Sequence, residues 1–391
     1  MSTTIAIVAT HPIQYQVPWL QMLARQPGVN LKVYYAILPE EAQQGTGFGI
    51  PFKWDIPMLE GYEWHALPNT SKRPTLRGFF SNSTPAVRAI LAGSRPDAVI
   101  ITGWHALSLV QALWACITLR LPRIVRGESN ALRKRPAWAK LLHRVFLSCF
   151  DGFLAIGKAN REFYLRNGID ARKIFDCRYF IDNERFRKAC DSSRKGRTAL
   201  RLKWNIPDRK FCFVFVGKFE PKKRLLDLLD ALESASRARN DLHLLAVGAG
   251  ELDAAAKTRV DAAGLPVSFS GFLNQTELPQ AYAASDCLVL PSDDGETWGL
   301  VVNEAMACRL PAIVSDRVGC GPDLVESGVT GFVFPFGNIP ALSACLVAMA
   351  ADRAKAASMG HEAEVRIGSY SVENAAKATI QAVEFVLSNR N

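Results

Sequence analysis

Residues 288–307 place two glutamates beside one predicted helix start. An apolar strand is followed by a polar loop that carries Glu296, and a helix is predicted to begin near Gly299, with Glu304 about one turn inside it. Both carboxylates are then able to accept hydrogen bonds from the sugar and ribose hydroxyls of one ligand. The first helix amides would bind an anion such as a phosphate, and they belong to Gly299, Leu300 and Val301. The alternative is an ordinary helix with one glutamate before it and one solvated glutamate within it.

A second candidate cluster combines the end of a predicted strand with cations at the start of the next helix. The strand ends at Gly217, and Lys218 and Lys223 follow it. Because a helix dipole disfavours cations at the helix N-terminus, this placement suggests that an anion compensates them. The alternative is a solvated basic cluster.

Two histidines in the first half of the chain also follow predicted strands. His11 lies in a loop after the first strand, together with Gln14 and Tyr15, and His105 follows a later strand. In doubly wound sheets such loops lie at the carboxyl ends of the strands, where ligands bind. His11 would donate a hydrogen bond to a phosphate or to another group of a ligand. His105 would lie at the same edge of the sheet. The alternative for each is a structural histidine.

Two pairs of charged residues in predicted loops have less specific patterns. Arg126 and Glu128 come at and just after the end of a predicted strand, where either would contact a ligand. The alternative for this pair is a structural ion pair. Asp293 and Asp294 are adjacent carboxylates without histidine or further ligands nearby, so we predict a solvated loop and no metal site.

Short apolar strands alternate with helical patterns along the chain, which predicts two doubly wound parallel sheets. The polar segment 187–196 is predicted to be a linker, with a cleft between the carboxyl ends of the two sheets. Helical patterns occupy 85–91, 106–118, 137–150 and 371–387. The predicted strands are 5–9, 31–36, 98–102, 123–126, 152–156, 212–217, 243–247, 268–269, 287–290, 312–315 and 332–334.

Composition and charge limit the classes of partner. The chain has 391 residues, of which 49% are hydrophobic, as expected for a globular protein of two domains. Residues 1–190 carry 25 Lys and Arg against 13 Asp and Glu, whereas residues 191–391 carry 22 against 24. The excess of positive charge in residues 1–190 favours an anionic partner, such as a lipid-phosphate acceptor or an anionic membrane surface. No recognised nucleic-acid motif accompanies the charge, so we expect no nucleic acid.

Other features of the sequence bear on location. Nine cysteines occur singly, which indicates free thiols in a reducing cytosol. The stretches 72–80 and 133–146 are both basic and aromatic, and each alone is interpreted as an ordinary solvated helix face, with contact to a membrane as the alternative. We therefore expect a cytoplasmic protein with peripheral contact at the inner face of the membrane.

The second half of the chain resembles the retaining GT-B glycosyltransferases of family four. Glu296 and Glu304 match the E-x7-E pattern of that family, and the continuation 311–331 and the Gly248-Ala-Gly250 loop also match it. In the family, a G-R-L-x-x-x-K-G segment holds the donor pyrophosphate through its Arg and Lys. Lys218 and Lys223 occupy these positions here. The loop around His11 resembles a subgroup with His-Pro-Ile-Gln-Tyr.

The sequence also departs from the family pattern at several positions. Arg224 and Arg309 stand where the family usually has glycine, and Arg126 to Glu128 stand where many members have an acceptor-side histidine. The resemblance implies that Gln14, Tyr15 and Arg126 lie on the acceptor side. His11, His105 and Glu128 are the catalytic candidates of that side.

The resemblance implies a domain organisation and a reaction. Residues 1–190 would form an acceptor-side Rossmann-like domain joined by the C-terminal helix 371–391, and residues 191–370 would bind the nucleotide sugar. The reaction would be sugar transfer to an acceptor hydroxyl with retention and without a metal or other cofactor, in the synthesis of a surface glycan or glycolipid. The acceptor would be a glycan, a lipid-linked molecule or a small molecule. A nucleotide-sugar epimerase of GT-B fold and a non-catalytic sugar-nucleotide-binding partner are the alternatives.

Overall fold

The computed structural model describes residues 2–389, which form two compact units. The first unit contains the residues up to Thr46, Pro51–Phe180 and the residues from Ser371, and the second contains Gly47–Ile50 and Ile181–Tyr370. Each unit is built around one sheet of parallel strands with its own core.

The first unit has a seven-stranded sheet in the order β3-β2-β1-β4-β5-β6-β7. Every neighbouring pair of strands is parallel. The strand order reverses between β1 and β4, and doubly wound sheets bind ligands beside the carboxyl ends of the strands at such a point. The strands are β1 (Thr3–Ala9), β2 (Val29–Tyr35), β3 (Glu63–Ala66), β4 (Ala98–Ile101), β5 (Arg123–Val125), β6 (Gly152–Ala155) and β7 (Ile174–Asp176).

Helices cover both faces of this sheet. The first six are α1 (Val17–Ala24), α2 (Glu41–Gln44), α3 (Val87–Ser94), α4 (Leu107–Leu119), α5 (Ala137–Leu147) and α6 (Lys158–Arg166). Buried residues of α3, α4 and α6 share one core cluster on one face, and Leu147 at the end of α5 joins them. Two 3-10 turns, Phe79–Ser81 and Ala171–Lys173, complete the connections.

The second unit has a six-stranded parallel sheet in the order β10-β9-β8-β11-β12-β13. The strand order reverses between β8 and β11, which therefore place their following loops side by side. The strands are β8 (Phe211–Val216), β9 (Leu242–Val247), β10 (Val267–Gly271), β11 (Cys287–Leu290), β12 (Ala312–Ser315) and β13 (Gly331–Phe334).

The remaining helices follow in chain order. They are α7 (Asn183–Arg194), α8 (Arg197–Lys203), α9 (Leu225–Ala238), α10 (Asp253–Ala263), α11 (Leu278–Ala284), α12 (Leu300–Ala307), α13 (Gly321–Leu324), α14 (Ile339–Ala351), α15 (Arg353–Ile367) and α16 (Val372–Ser388). A 3-10 turn, Pro221–Lys223, precedes α9. Helix α16 belongs to the first unit, where its buried residues join those of α1 in one core cluster.

The predicted alternation of strands and helices is confirmed. All eleven predicted strands are present, and their ends differ from the prediction by at most two residues. The prediction missed β3 and β7, which lie at the two edges of the first sheet. β3 is mostly exposed and β7 has three residues, so neither produces a buried apolar run in the sequence.

The boundary between the units differs from the predicted linker at 187–196. The chain passes into the second unit after Phe180, and 183–194 form α7. This helix buries only Phe186 and Cys190, which lie four residues apart, and Asp182 caps its N-terminus. Because this helix packs through so narrow an apolar stripe, its sequence is as polar as that of a linker. This explains why the linker was predicted at the wrong position.

The most apolar helix of the first unit, α4, packs against the core. Its residues Leu109, Ala112, Leu113 and Cys116 are buried. Among residues 2–389, no helix has both the length and the apolar character that a bilayer-spanning segment needs.

Candidate functional site

Helix α12 begins directly at the carboxyl edge of the second sheet. Gly299 precedes it with a φ of 100°, a conformation that favours glycine. A Cβ at this position would lie 2.8 Å from the Cδ2 atom of Leu290 at the end of β11. Glycine therefore lets the helix start close to the strand. The amides of the first turn have no acceptor within the helix, so this edge can bind an anion.

The loops after β8 and β11 meet through an ion pair. Lys223 Nζ contacts Glu296 Oε2, and the two side chains are only 13% and 14% exposed. Ser292 Oγ donates a hydrogen bond to the same glutamate oxygen at 3.5 Å. The structure thus brings together a lysine and a glutamate that the sequence proposed from two separate segments.

Lys218 lies earlier in the loop that carries Lys223. Its Nζ is 4.9 Å from the ring centroid of Phe48, a cation–π contact. Phe48 packs against Phe272 at a centroid distance of 4.9 Å within the second unit. The loop after β9 packs closely against the loop that carries Lys218. A Cβ on Gly248 would lie 1.9 Å from the carbonyl oxygen of Gly217, so only glycine allows this approach.

Glu304 is completely buried in α12. Its Oε2 accepts a hydrogen bond from the hydroxyl of Tyr282 on α11 at 2.6 Å. An ionised carboxylate has about four acceptor positions, so this bond does not exhaust its capacity. The predicted position one turn inside the helix is confirmed, and Tyr282 is a partner that the sequence did not indicate.

In the first unit, His11 and His105 follow the adjacent strands β1 and β4. The Nδ1 atom of His11 lies 3.0 Å from the hydroxyl of Thr10. Burial and, to a smaller extent, the neighbouring His105 together lower the pKa of His11 to about 4. Burial also lowers the pKa of His105, although the charge of Glu128 opposes this shift. Both imidazoles are therefore neutral at neutral pH.

Arg126 is completely buried at the end of β5. Its guanidinium carbon lies 4.6 Å from the ring centroid of Tyr179, 5.5 Å from that of Phe180 and 5.7 Å from that of Trp19. Its Nε and Nη2 atoms have no hydrogen-bond partner within residues 2–389. The hydroxyl of Tyr179 donates a hydrogen bond to Glu128 Oε1 at 2.5 Å. Tyr179 therefore contacts both candidate residues of this loop.

The other predicted residues lie in loops. Gln14 and Tyr15 are partly buried in the turn between β1 and α1. Asp293 accepts a hydrogen bond from the amide of Gly295 at 2.7 Å. Within the described part of the chain, no group of three or more His, Cys, Asp or Glu side chains is arranged to hold a metal ion.

Comparison with known proteins finds a family similarity over most of the second unit. Residues 196–366 match the model of the family described as glycosyl transferases group 1. This match contains the lysines, the two glutamates and helix α12.

Residues 196–366, called the group 1 domain below, are similar to the group 1 glycosyl transferases.

Relatives of the group 1 domain include named transferases. Sulfoquinovosyl transferase SQD2 of Arabidopsis thaliana is 30% identical over 279 residues, which cover 66% of this chain and 50% of that protein. The GDP-mannose-dependent alpha-(1-6)-phosphatidylinositol dimannoside mannosyltransferase of Mycobacterium tuberculosis is 31% identical over 251 residues, 62% of this chain and 63% of that protein. The chain thus spans less than two thirds of the length of either relative.

The solved structure of Anabaena HepE (Alr3699) in complex with UDP and glucose shows the same fold. It covers 98% of this chain and 99% of its own chain with a TM-score of 0.70, at 17% sequence identity. A solved glycosyltransferase structure from Rickettsia africae also has this fold, with a TM-score of 0.75 at 15% identity over 99% of each chain. The predicted fold of two Rossmann-like domains is therefore confirmed for both units.

Two arginines stand where the resemblance implies glycine, and their backbone conformation is one that glycine adopts freely. Arg224 and Arg309 have φ angles of 56° and 57°, in the left-handed region. Each arginine is held by acidic side chains: Arg224 by Asp227 at 2.8 Å, and Arg309 by Glu364 at 2.8 Å and Asp191 at 3.0 Å. The ion pairs offset part of the cost of a conformation that glycine adopts freely.

Sequence reasoning missed the two tyrosines that hold the candidate glutamates. Tyr282 precedes Glu304 by 22 positions and Tyr179 follows Glu128 by 51 positions. Neither separation belongs to a local motif. An aromatic residue with a hydroxyl in a largely apolar helix was the one available signal for Tyr282.

Proposed function

We propose that this chain is a retaining glycosyltransferase that moves a sugar from a nucleotide-sugar donor to an acceptor hydroxyl. The observation that carries the proposal is the ion pair between Lys223 and Glu296 at the edge where helix α12 begins, within the group 1 domain. The pair combines a cation for a diphosphate with a carboxylate for sugar hydroxyls.

In the proposed donor site, the diphosphate lies between lysines and helix amides. Lys218 and Lys223 neutralise the charge that develops on the leaving diphosphate. The anion also receives hydrogen bonds from amides of the first turn of α12, which are those of Gly299, Leu300 and Val301.

The two glutamates have different surroundings and therefore different proposed roles. Glu296 is partly exposed in the loop, so it holds the sugar hydroxyls and helps to orient the anomeric carbon. Glu304 is fixed by Tyr282 and accepts hydrogen bonds from the ribose. Neither residue acts as a nucleophile in this scheme.

The proposed reaction is a same-face substitution at the anomeric carbon. The bond from this carbon to the diphosphate oxygen breaks, and a bond to the acceptor oxygen forms on the same face. The proton of the acceptor hydroxyl passes to the leaving diphosphate. Positioning and electrostatic stabilisation are the contributions of the protein, and no metal ion or other cofactor takes part.

The first unit supplies the proposed acceptor side. The neutral imidazoles of His11 and His105 can each accept or donate a hydrogen bond, which suits an uncharged hydroxyl. Glu128 orients the same hydroxyl. Gln14, Tyr15 and Arg126 complete this side, with Arg126 acting through Tyr179 rather than by direct contact.

The relatives suggest donors and acceptors to test first. The Anabaena structure contains UDP and glucose, and the mycobacterial relative is named for GDP-mannose and a phosphatidylinositol acceptor. We propose a surface glycan or a lipid-linked glycan as the acceptor. The first unit has the excess of cations, so it would contact an anionic membrane that bears a lipid acceptor.

A thermal-shift screen against nucleotide sugars, followed by a transfer assay, tests this function. A ligand that binds only the folded chain raises its apparent stability. We expect a shift with one nucleotide sugar, transfer to an added acceptor in the presence of EDTA, and a product with the anomeric configuration of the donor. An inverted product, or isomerisation of the donor without any acceptor, would contradict the proposal.

A further inference from the structure

Helix α5 turns its apolar stripe toward solvent. Four residues at positions i, i+3, i+4 and i+7 lie on one face of this helix. Their exposed fractions are 68% for Trp138, 64% for Leu141, 62% for Leu142 and 62% for Val145. A surface helix normally buries such a stripe, but the only buried residue of α5 is Leu147 at its end. We call these four residues the α5 face.

The α5 face is surrounded by positive charge. Residues 129–150 contain five Lys and Arg and no Asp or Glu. A cavity of about 570 Å³ opens beside the N-terminal half of the helix. Five cations and no carboxylate line it, namely Arg133, Lys134, Arg135, Lys140 and Arg166. Arg166 also pairs with Glu162 at 2.7 Å, outside this lining.

We propose that α5 docks the first unit on an anionic phospholipid bilayer. The helix lies in the plane of the interface, with the α5 face at the boundary between headgroups and acyl chains. The cations of the neighbouring cavity contact lipid phosphates. The biological role of this docking rests on the proposed function, because a lipid-borne acceptor lies at such a surface. Binding to the bilayer is nevertheless measurable without turnover.

Charge argues against a second copy of the chain as the occupant of this face. A symmetric dimer would place the same patch of both copies face to face. The five Lys and Arg of residues 129–150 would then lie against the same five residues of the other copy. The four side chains also offer only a few hundred Å², roughly, against about 800 Å² per partner in a standard interface. A bilayer with anionic headgroups complements both the apolar stripe and the charge.

Co-sedimentation with vesicles tests the proposal on the full chain. The probes are vesicles of phosphatidylcholine alone and of phosphatidylcholine with phosphatidylglycerol. We expect binding to the anionic vesicles only, and weaker binding as salt rises. The double variant Leu141→Glu/Leu142→Glu should bind at least about tenfold more weakly, because it replaces apolar contact with like charge. Lys134→Glu/Lys140→Glu should weaken binding by a similar factor.

Matched variants control for charge and for exposed leucine. Leu202 on α8 of the second unit is 78% exposed, and Lys355 on α15 is also exposed. Leu202→Glu and Lys355→Glu should bind vesicles like the wild type. Wild-type binding by the Leu141→Glu/Leu142→Glu variant would overturn the proposal. So would equal binding to neutral vesicles, or a wild-type dimer that this variant dissociates.

Calorimetric titration with the nucleotide sugar keeps this result separate from the proposed function. All four variants should keep wild-type affinity for the donor. Loss of vesicle binding with intact donor binding supports the docking face. Vesicle binding that depends on the α5 face in a chain that transfers no sugar would reject the proposed function alone.

Discussion

The carboxyl edges of the two parallel sheets carry different kinds of candidate side chains. In the second unit the candidate groups are charged and paired, since Lys223 contacts Glu296 and Glu304 accepts a hydrogen bond from Tyr282. In the first unit burial lowers the pKa of both His11 and His105, so those side chains are neutral near pH 7.

This contrast shows how parallel sheets of similar topology can serve different ligands. A cation that pairs with a carboxylate, as Lys223 does with Glu296, can exchange that contact for an anionic diphosphate. Neutral imidazoles suit an uncharged hydroxyl, which needs orientation rather than charge neutralisation. We therefore expect substitutions in the second unit to act on donor binding and turnover, and those in the first to act on turnover alone.

The largest effect is expected from Lys223→Ala. Removing one group that stabilises charge in the transition state lowers turnover by about 100- to 1000-fold in comparable sites. Steady-state transfer assays measure the loss. Lys222→Ala is the matched control, because Lys222 is 47% exposed and pairs with Glu220 rather than Glu296. Similar turnover by Lys223→Ala and the wild type would show that Lys223 does not stabilise the leaving diphosphate, and would contradict the proposed difference between the two units.

Glu128→Gln should have a smaller effect of a different kind. A misplaced acceptor lowers kcat by roughly 10- to 100-fold, while the dissociation constant of the donor should not change. Tyr179→Phe should lower kcat less, because it removes one hydrogen bond to Glu128 and leaves the carboxylate in place. Glu162→Gln, on the exposed surface of the same unit, is the control. A matching loss of donor affinity would argue against separate roles for the two units.

The two regions also differ in how much of them the sequence predicted. Each half of the donor site lies within one local segment, where a strand, a loop and a helix start are visible as a pattern. Lys223 and Glu296 could therefore be proposed together, because neighbouring parallel strands bring their following loops together. The long-range partner Tyr282 could not be found in this way.

In the first unit, the important features depend on burial rather than on spacing. The sequence left a structural ion pair between Arg126 and Glu128 as the alternative to ligand contact, whereas the structure places Tyr179 in contact with both residues. The exposed stripe of α5 was visible only as an amphipathic pattern. Periodicity identifies an apolar face, but tertiary packing determines whether that face is covered.

Acid should destabilise the two units through one buried histidine each. Burial lowers the pKa of both His11 and His243 to about 4. The unfolded chain then binds more protons between about pH 6.5 and 4, so the free energy of unfolding should fall as pH falls through this window, by up to about 1.4 kcal/mol per pKa unit. His11→Gln and His243→Gln should each reduce this pH dependence in denaturant titrations.

Turnover should separate these two histidines. His11→Gln should lower transfer at pH 7, whereas His243→Gln should not, because the partner of His243 is Ser268 within the second sheet. Equal effects of the two substitutions on transfer would remove His11 from the acceptor side.

The smallest effect concerns the arginine that replaces a family glycine after α12. Arg309→Gly relieves a left-handed conformation that costs about 1 kcal/mol, and it removes ion pairs that contribute up to about 1 kcal/mol. The free energy of unfolding should therefore change little. Arg309→Ala keeps the strain and loses the pairs, so it should be less stable than Arg309→Gly in urea titrations. The reverse order would show that strain at this position is negligible.

Calorimetric titration of a nucleoside diphosphate and its sugar derivative into wild type, Lys223→Ala and Glu304→Ala addresses the donor site most directly. If the loops after β8 and β11 hold the donor, Lys223→Ala weakens both ligands strongly, and Glu304→Ala weakens both through the ribose. Affinities equal to those of the wild type in both variants would place the nucleotide elsewhere and contradict the account.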